Sequence, residues 1–314
     1  MTKRLNAHLT TIAIAILNLL ILSIWLVPAA RAQGTASING TITDASGAVI
    51  PSAQITATNN STGATHAAQS NASGFFSITS LAPGVYNITI EKQGLKTLTY
   101  ASVTLTVDQA LTLNAKMEIS QQQTTVTVEG SQVAAIDTTD ATLSDVVNHA
   151  QIVELPLILR DPYQLVLLSP GVTQSDSGLG GVSINGGRER NNNFLLDGTD
   201  NNDADVPGGL GGLTSQNPDS TQEFRVLTNN FAPEYGRNNG AIIDVITRSG
   251  TNQFHGDAFY FGRWDALGAR DYFNHQIDPE TGLVAPKNPY VRNLYGGSLG
   301  GPIKKDKTFF FVNY

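Results

Sequence analysis

Period-two alternation recurs along most of this chain, and it limits the fold more than any other feature. Ile38 and Ile42 alternate with polar residues, as do Tyr86, Ile88 and Ile90 with Asn87 and Thr89. Val103, Leu105 and Val107 are separated by Thr104 and Thr106, and Leu111, Leu113 and Ala115 repeat the scheme. A strand points successive side chains to opposite faces, so each such run buries one face and wets the other. Asp44-Ala45-Ser46-Gly47, Gly74 and Pro83-Gly84 punctuate the runs. Short strands at this spacing predict a small β-sandwich over residues 33–118.

Composition narrows the setting. Only 14% of the 314 residues are charged, cysteine is absent, and Gly is abundant. This profile suits an exported, turn-rich β protein whose cores hold without disulfides, and it excludes cysteine-ligated metal. Lys3 and Arg4 precede the largely apolar run Leu9–Val27, and Ala30-Arg31-Ala32 forms an A-x-A cleavage site. Residues 1–32 therefore read as a signal peptide, with a retained membrane anchor as the competing reading. Their removal leaves 16 basic against 26 acidic residues, a net charge of −10. No basic footprint for nucleic acid remains.

The runs "GTITDASGAVIPSAQITATN" and "SGFFSITSLAPGVYNITIEKQGLK" resemble the carboxypeptidase regulatory-like domain, a transthyretin-like sandwich. That module implies a fold and no activity. Further on, "LPLILRDPYQLVLLSPGV", "GVSINGGRERNNNFLLDGTDNND" and "QEFRVLTNNFAPEYGRNNGAIIDVITRSGTN" resemble, in that order, the plug of TonB-dependent outer-membrane receptors of the Oar-like group. The resemblance implies an α+β plug over residues 131–250. A helix is expected from about Ser144. A second is expected after Asp161, with Pro162 at its first position and an end at Pro170-Gly171.

The last segment, residues 251–314, has a different alternation. Phe254, Gly256, Ala258, Tyr260, Gly262 and Trp264 carry no charge, while His255, Asp257 and Arg263 lie between them. Val291, Asn293, Tyr295, Gly297 and Leu299 form another mainly apolar face. The polar stretch 265–289 separates these runs, and a short connection, Gly300 to Lys307, leads into Phe309. Strand, long loop, strand, short turn, strand is the layout of an outer-membrane barrel. "RWDALGARDYF" and "GGSLGGPIKKDKTFFFVNY" resemble the barrel entry of the same receptors. Plugged barrels close with about 22 strands, and an open edge in lipid leaves backbone groups unsatisfied. Three strands are thus expected to be the front of a truncated barrel.

The fold expected is mainly β: sandwich, plug, then the first transmembrane strands. No catalytic, metal or cofactor site is expected, and no enzyme. Gly296-Gly297-Ser298-Leu299-Gly300 matches G-x-S-x-G, but Gly301-Pro302 follows where the chemistry needs a helix. His66, His149, His255 and His275 are scattered singly. Asp197 to Asp205 is rich in oxygen ligands, yet Val206 and Gly212 break the EF-hand pattern, and Asp197-Gly198 reads as a turn.

One binding segment stands out. "TTVTVEG" follows the polar Gln121-Gln122-Gln123 within a linker over residues 119–130. The resemblance implies a TonB box there, at Thr125, Val126, Thr127 and Val128, that pairs with the energy-transducing TonB complex by β-augmentation. An ordinary plug or linker strand is the plainer reading. The family further implies outer-membrane lipid and an unidentified imported ligand as partners, with the sandwich in the periplasm. An exported adhesion or carbohydrate-binding protein is the alternative from another functional class.

Overall fold

A computed structural model describes residues 36–119, 125–129, 141–157, 160–175, 180–205, 209, 212–214, 216–236, 238–270, 277, 282, 284, 287 and 289–314. The expected signal peptide lies outside them.

Eight strands build the first unit: β1 (Ala36–Asp44), β2 (Gln54–Asn59), β3 (Thr65–Gln69), β4 (Phe75–Leu81), β5 (Gly84–Glu91), β6 (Thr97–Leu105), β7 (Ala110–Thr112) and β8 (Ala115–Met117). In one sheet β1 lies between β4 and the parallel pair β7 and β8. The other runs β3-β2-β5-β6-β9, where β9 is Thr125–Glu129. The alternating apolar residues of both sheets meet in one core that includes Ile38, Ile42, Ile55, Phe76, Tyr86, Ile88 and Ile90. Burying each large side chain contributes about 1.5–3 kcal/mol. Asp44 closes the first turn by accepting from the Ser46 and Ala48 amides at 2.8 and 2.9 Å. Buried Ser70 accepts from the Ala53 amide at 2.8 Å and donates to the Ile50 carbonyl at 2.7 Å, so its hydroxyl is satisfied. Gly40 lies where β1 meets the chain after β7: a Cβ there would stand 2.0 Å from the Leu113 carbonyl oxygen.

The central unit is built on the sheet β10-β15-β16-β13-β14. Its strands are β10 (Leu143–Asn148), β13 (Asn193–Leu196), β14 (Thr199–Asp200), β15 (Thr221–Asn229) and β16 (Ile242–Thr247). A small hairpin, β11 (Val172–Gln174) and β12 (Val182–Ile184), stands beside it. Val147, Phe194, Phe224, Val226, Ile243 and Val245 share one core with Ile152, Tyr163 and Val166.

Two local expectations change here. The helix expected from Ser144 begins at His149 instead: α1 is His149–Glu154, and residues 143–148 pair with β15 as a strand. β-branched Val146 and Val147 suit that strand, where Val147 is buried. The true start signal is a capping box in which Asn148 Oδ1 accepts from the Gln151 amide and Gln151 Oε1 from the Asn148 amide, each at 3.0 Å. The element after Asp161 is a 3-10 helix, Pro162–Leu168, capped by Asp161 at 3.0 Å from the Tyr163 amide. Asp197 and Gly198 take φ of +50° and +75° between β13 and β14, the geometry of the expected turn.

The third unit is an antiparallel meander of β17 (His255–Trp264), β18 (Val291–Lys304) and β19 (Thr308–Asn313). The connection expected from Gly300 shrinks to residues 305–307, because β18 continues to Lys304. Directly paired residues share a face, and Tyr260 faces Tyr295, Gly256 faces Leu299, and Leu299 faces Val312. That outer row is exposed, with Tyr260, Tyr295, Leu299 and Val312 at 59%, 66%, 52% and 61%. The opposite row faces the central unit. Ser298, an ordinary strand residue on that side, donates to Asp257.

Candidate functional site

All four residues singled out as the partner segment lie in β9. Its backbone pairs in parallel with β6: Thr97 with Thr125, Leu98 with Val126, Thr99 with Thr127, and Tyr100 with Val128. Val128 packs against the sandwich core, whereas Thr127 is exposed. β9 is therefore a strand of the sandwich sheet, with Thr127 outward and Val128 toward the core. It ends the order β3-β2-β5-β6-β9, so among the described residues its outer edge has no partner strand. An edge of this kind offers a row of N–H and C=O groups to an incoming strand. The sequence marked β9 by its Thr-Val alternation but not its partner, since β6 lies upstream across two strands and their turns.

A second arrangement joins the central unit to the meander. Arg160 donates to Asp219 at 3.0 Å, with side-chain exposures of 12% and 8%. Its guanidinium stands 4.0 Å from the ring centre of Phe261 and 5.0 Å from that of Phe259, both on β17. A planar, weakly hydrated cation suits such a stack. Burial, opposed by Arg160, holds the Asp219 carboxyl above the usual carboxylate range. No sequence signal pointed to this contact, because its members are scattered over residues 160–261.

The acidic stretch Asp197–Asp205 turns its oxygens onto its own chain. Asp197 accepts from the amide and hydroxyl of Thr247, each at 2.9 Å, and Asp200 and Asp203 each accept from an amide two residues on.

The carboxypeptidase regulatory-like domain family matches residues 37–118, and an outer membrane beta barrel domain family matches residues 246–314. The chain is 30% identical over 298 residues to the TonB-dependent transporter Oar of Myxococcus xanthus, covering 91% of this chain. It spans 27% of that relative's length. Among solved structures, the siderophore receptor PirA of Acinetobacter baumannii is 20% identical, with a TM-score of 0.40 over 54% of this chain and 24% of that one. A mutant of the ferric enterobactin receptor PfeA of Pseudomonas aeruginosa, in complex with enterobactin, is 16% identical, with a TM-score of 0.37 over 53% and 23% of the two chains. The likeness to Oar thus runs through sandwich, central unit and meander alike, and the first and last of these match a carboxypeptidase regulatory-like domain and an outer membrane beta barrel domain.

Proposed function

We propose that this chain supplies the signal peptide (residues 1–32), sandwich (33–118), linker (119–130), plug (131–250) and first barrel strands (251–314) of a TonB-dependent outer-membrane transporter. The apolar, exposed outer row of the meander supports this reading most, since its other face meets the central unit at Arg160 and Asn217. Lipid would meet Tyr260, Tyr295 and Leu299, while the central unit would fill the lumen as the plug. The sandwich and β9 would lie on the periplasmic side, beside the short turn at residues 305–307. The work is coupled transport of a solute rather than catalysis.

In lipid vesicles, Leu299→Arg in the assembled receptor is expected to cost about 2–4 kcal/mol if the residue lies near the bilayer midplane. The lumen-side change Arg292→Lys is expected to cost less than about 0.5 kcal/mol. Urea titration of both variants gives the comparison, and equal costs would reject the lipid-facing assignment.

The open edge of β9 is the surface offered to TonB. Backbone pairing tolerates side-chain change but not loss of a donor. Thr127→Pro is therefore expected to weaken binding of the TonB periplasmic domain at least about tenfold, with Thr127→Ala near neutral. Fluorescence anisotropy reads both, and an unchanged affinity for the proline variant removes β9 from the role.

A further inference from the structure

The central sheet has a second face. Phe224, Val226, Ile243 and Val245 turn into the core, whereas Glu223, Arg225 and Asp244 turn the other way, with Arg225 directly opposite Asp244. Three charged residues in mid-sheet ought to meet water, yet Glu223 and Asp244 are only 7% and 1% exposed. The sandwich covers them. Its turn after β6 places the Val107 amide 2.5 Å from Glu223 Oε1, and the Val107 carbonyl accepts from Arg225 Nη1 at 2.9 Å. One residue is thus gripped at both backbone groups by two side chains of β15. The next residue, Asp108, has φ of +54° and stands near enough to Asp244 across the interface for its charge to raise that carboxyl.

A second contact holds the sandwich at the same end, through the turn after β2. The Asn252 amide donates to the Ser61 carbonyl at 2.9 Å, and the Asn252 side chain bonds Asp306 in the turn between β18 and β19.

We propose that the sandwich is a proton-controlled latch on the central sheet: Asp108 and Asp244 share one proton across the interface, and losing it releases the sandwich. Two ionised carboxylates cannot occupy that contact together, whereas a carboxylic acid can donate to a carboxylate. Asp244 is faced by Asp108 from the sandwich, by Asp197 from the turn between β13 and β14, and by Arg225 and Glu223 from β15. Arg225 cannot serve it alone, because its other nitrogens bond Ser144 Oγ at 2.9 and 2.7 Å. Burial first, then Asp108, push the Asp244 carboxyl from 3.8 up to about 8. Glu223 is also raised, chiefly by burial, against the Val107 amide that lowers it.

The sign follows from linkage. The docked state holds a proton that a solvated Asp244 would release, so docking is favoured at low pH and weakens as pH rises toward about 8. The latch holds in acid and opens in base.

Hydrogen exchange of residues 104–110 in the full chain, corrected for the intrinsic pH dependence of exchange, reads the docking directly. Protection at pH 6 is expected to exceed that at pH 9 about tenfold. Asp244→Asn, which imitates the protonated acid, is expected to keep the acid level of protection at both values. Asp108→Asn is expected to do the same from the sandwich side, without altering the central sheet. Wild-type protection that is equal at pH 6 and 9, or both variants following the wild-type pH profile, would overturn the latch. So would an unprotected Val107 amide throughout, since the dock would then not form.

Discussion

Replacing Arg160 by Ala is expected to destabilise the joint between the central unit and the meander by about 3–5 kcal/mol. The loss comes less from the ion pair than from what remains. Asp219 is nearly buried, and without the guanidinium its carboxylate has no ion-pair partner among the described residues. The two phenylalanines also lose the planar cation stacked on them. Arg160→Lys keeps the charge but not the plane, and should recover only part of the loss. Adding Asp219→Asn to Arg160→Ala should restore about half or more, because the stranded charge is gone. Urea unfolding of the wild type, Arg160→Ala, Asp219→Asn and the double variant in detergent tests this as a double-mutant cycle, with Arg160→Lys measured beside them. If the double variant is no better than Arg160→Ala, the buried carboxylate is not the source of the cost.

Gly40→Ala should be nearly as damaging to the sandwich. The new methyl would meet the Leu113 carbonyl at 2.0 Å and its carbon at 2.6 Å, and both are backbone atoms that cannot rotate away. Relief requires β1 and the β7–β8 segment to separate, which breaks the parallel pairing of Ile38 with Leu111 and of Ile42 with Ala115. A cost on the order of 3 kcal/mol is expected. For a unit of this size that lowers the unfolding midpoint by roughly 12–24 °C. Thr41→Ala, one residue on and half-exposed, should cost less than about 1 kcal/mol. Thermal scans of the full chain followed at the sandwich transition decide it. A small shift for Gly40→Ala would mean that the contact relaxes easily.

What could be read in advance follows the range of the forces involved. Strand faces were legible in the sandwich, as at Ile38 and Ile42 and over residues 86–90, and in the meander over residues 254–264 and 291–299, because alternation is local and each burial choice repeats every second residue. Turns at Asp44–Gly47 and Asp197-Gly198 were legible for the same reason. Residues 143–148 were misread because a short edge strand running straight into a six-residue helix gives neither period room to show. Only the Asn148-x-x-Gln151 box marks the boundary. The contacts that join units were not legible. Val107 meets Glu223 across 116 positions, and nothing beside either residue advertises the other. Residues 125–128 were legible as a strand, but the sandwich's hold on one of its edges was not.

That captured edge has a mechanical meaning. The five residues of β9 run alongside β6 in the same direction. A tug leaving through Glu129 along the strand axis strains all the rungs together, as a lap joint does in shear. A tug across the axis peels them off one after another. The sandwich should then behave as a directional shear pin, stiff toward axial load and yielding to a sideways one.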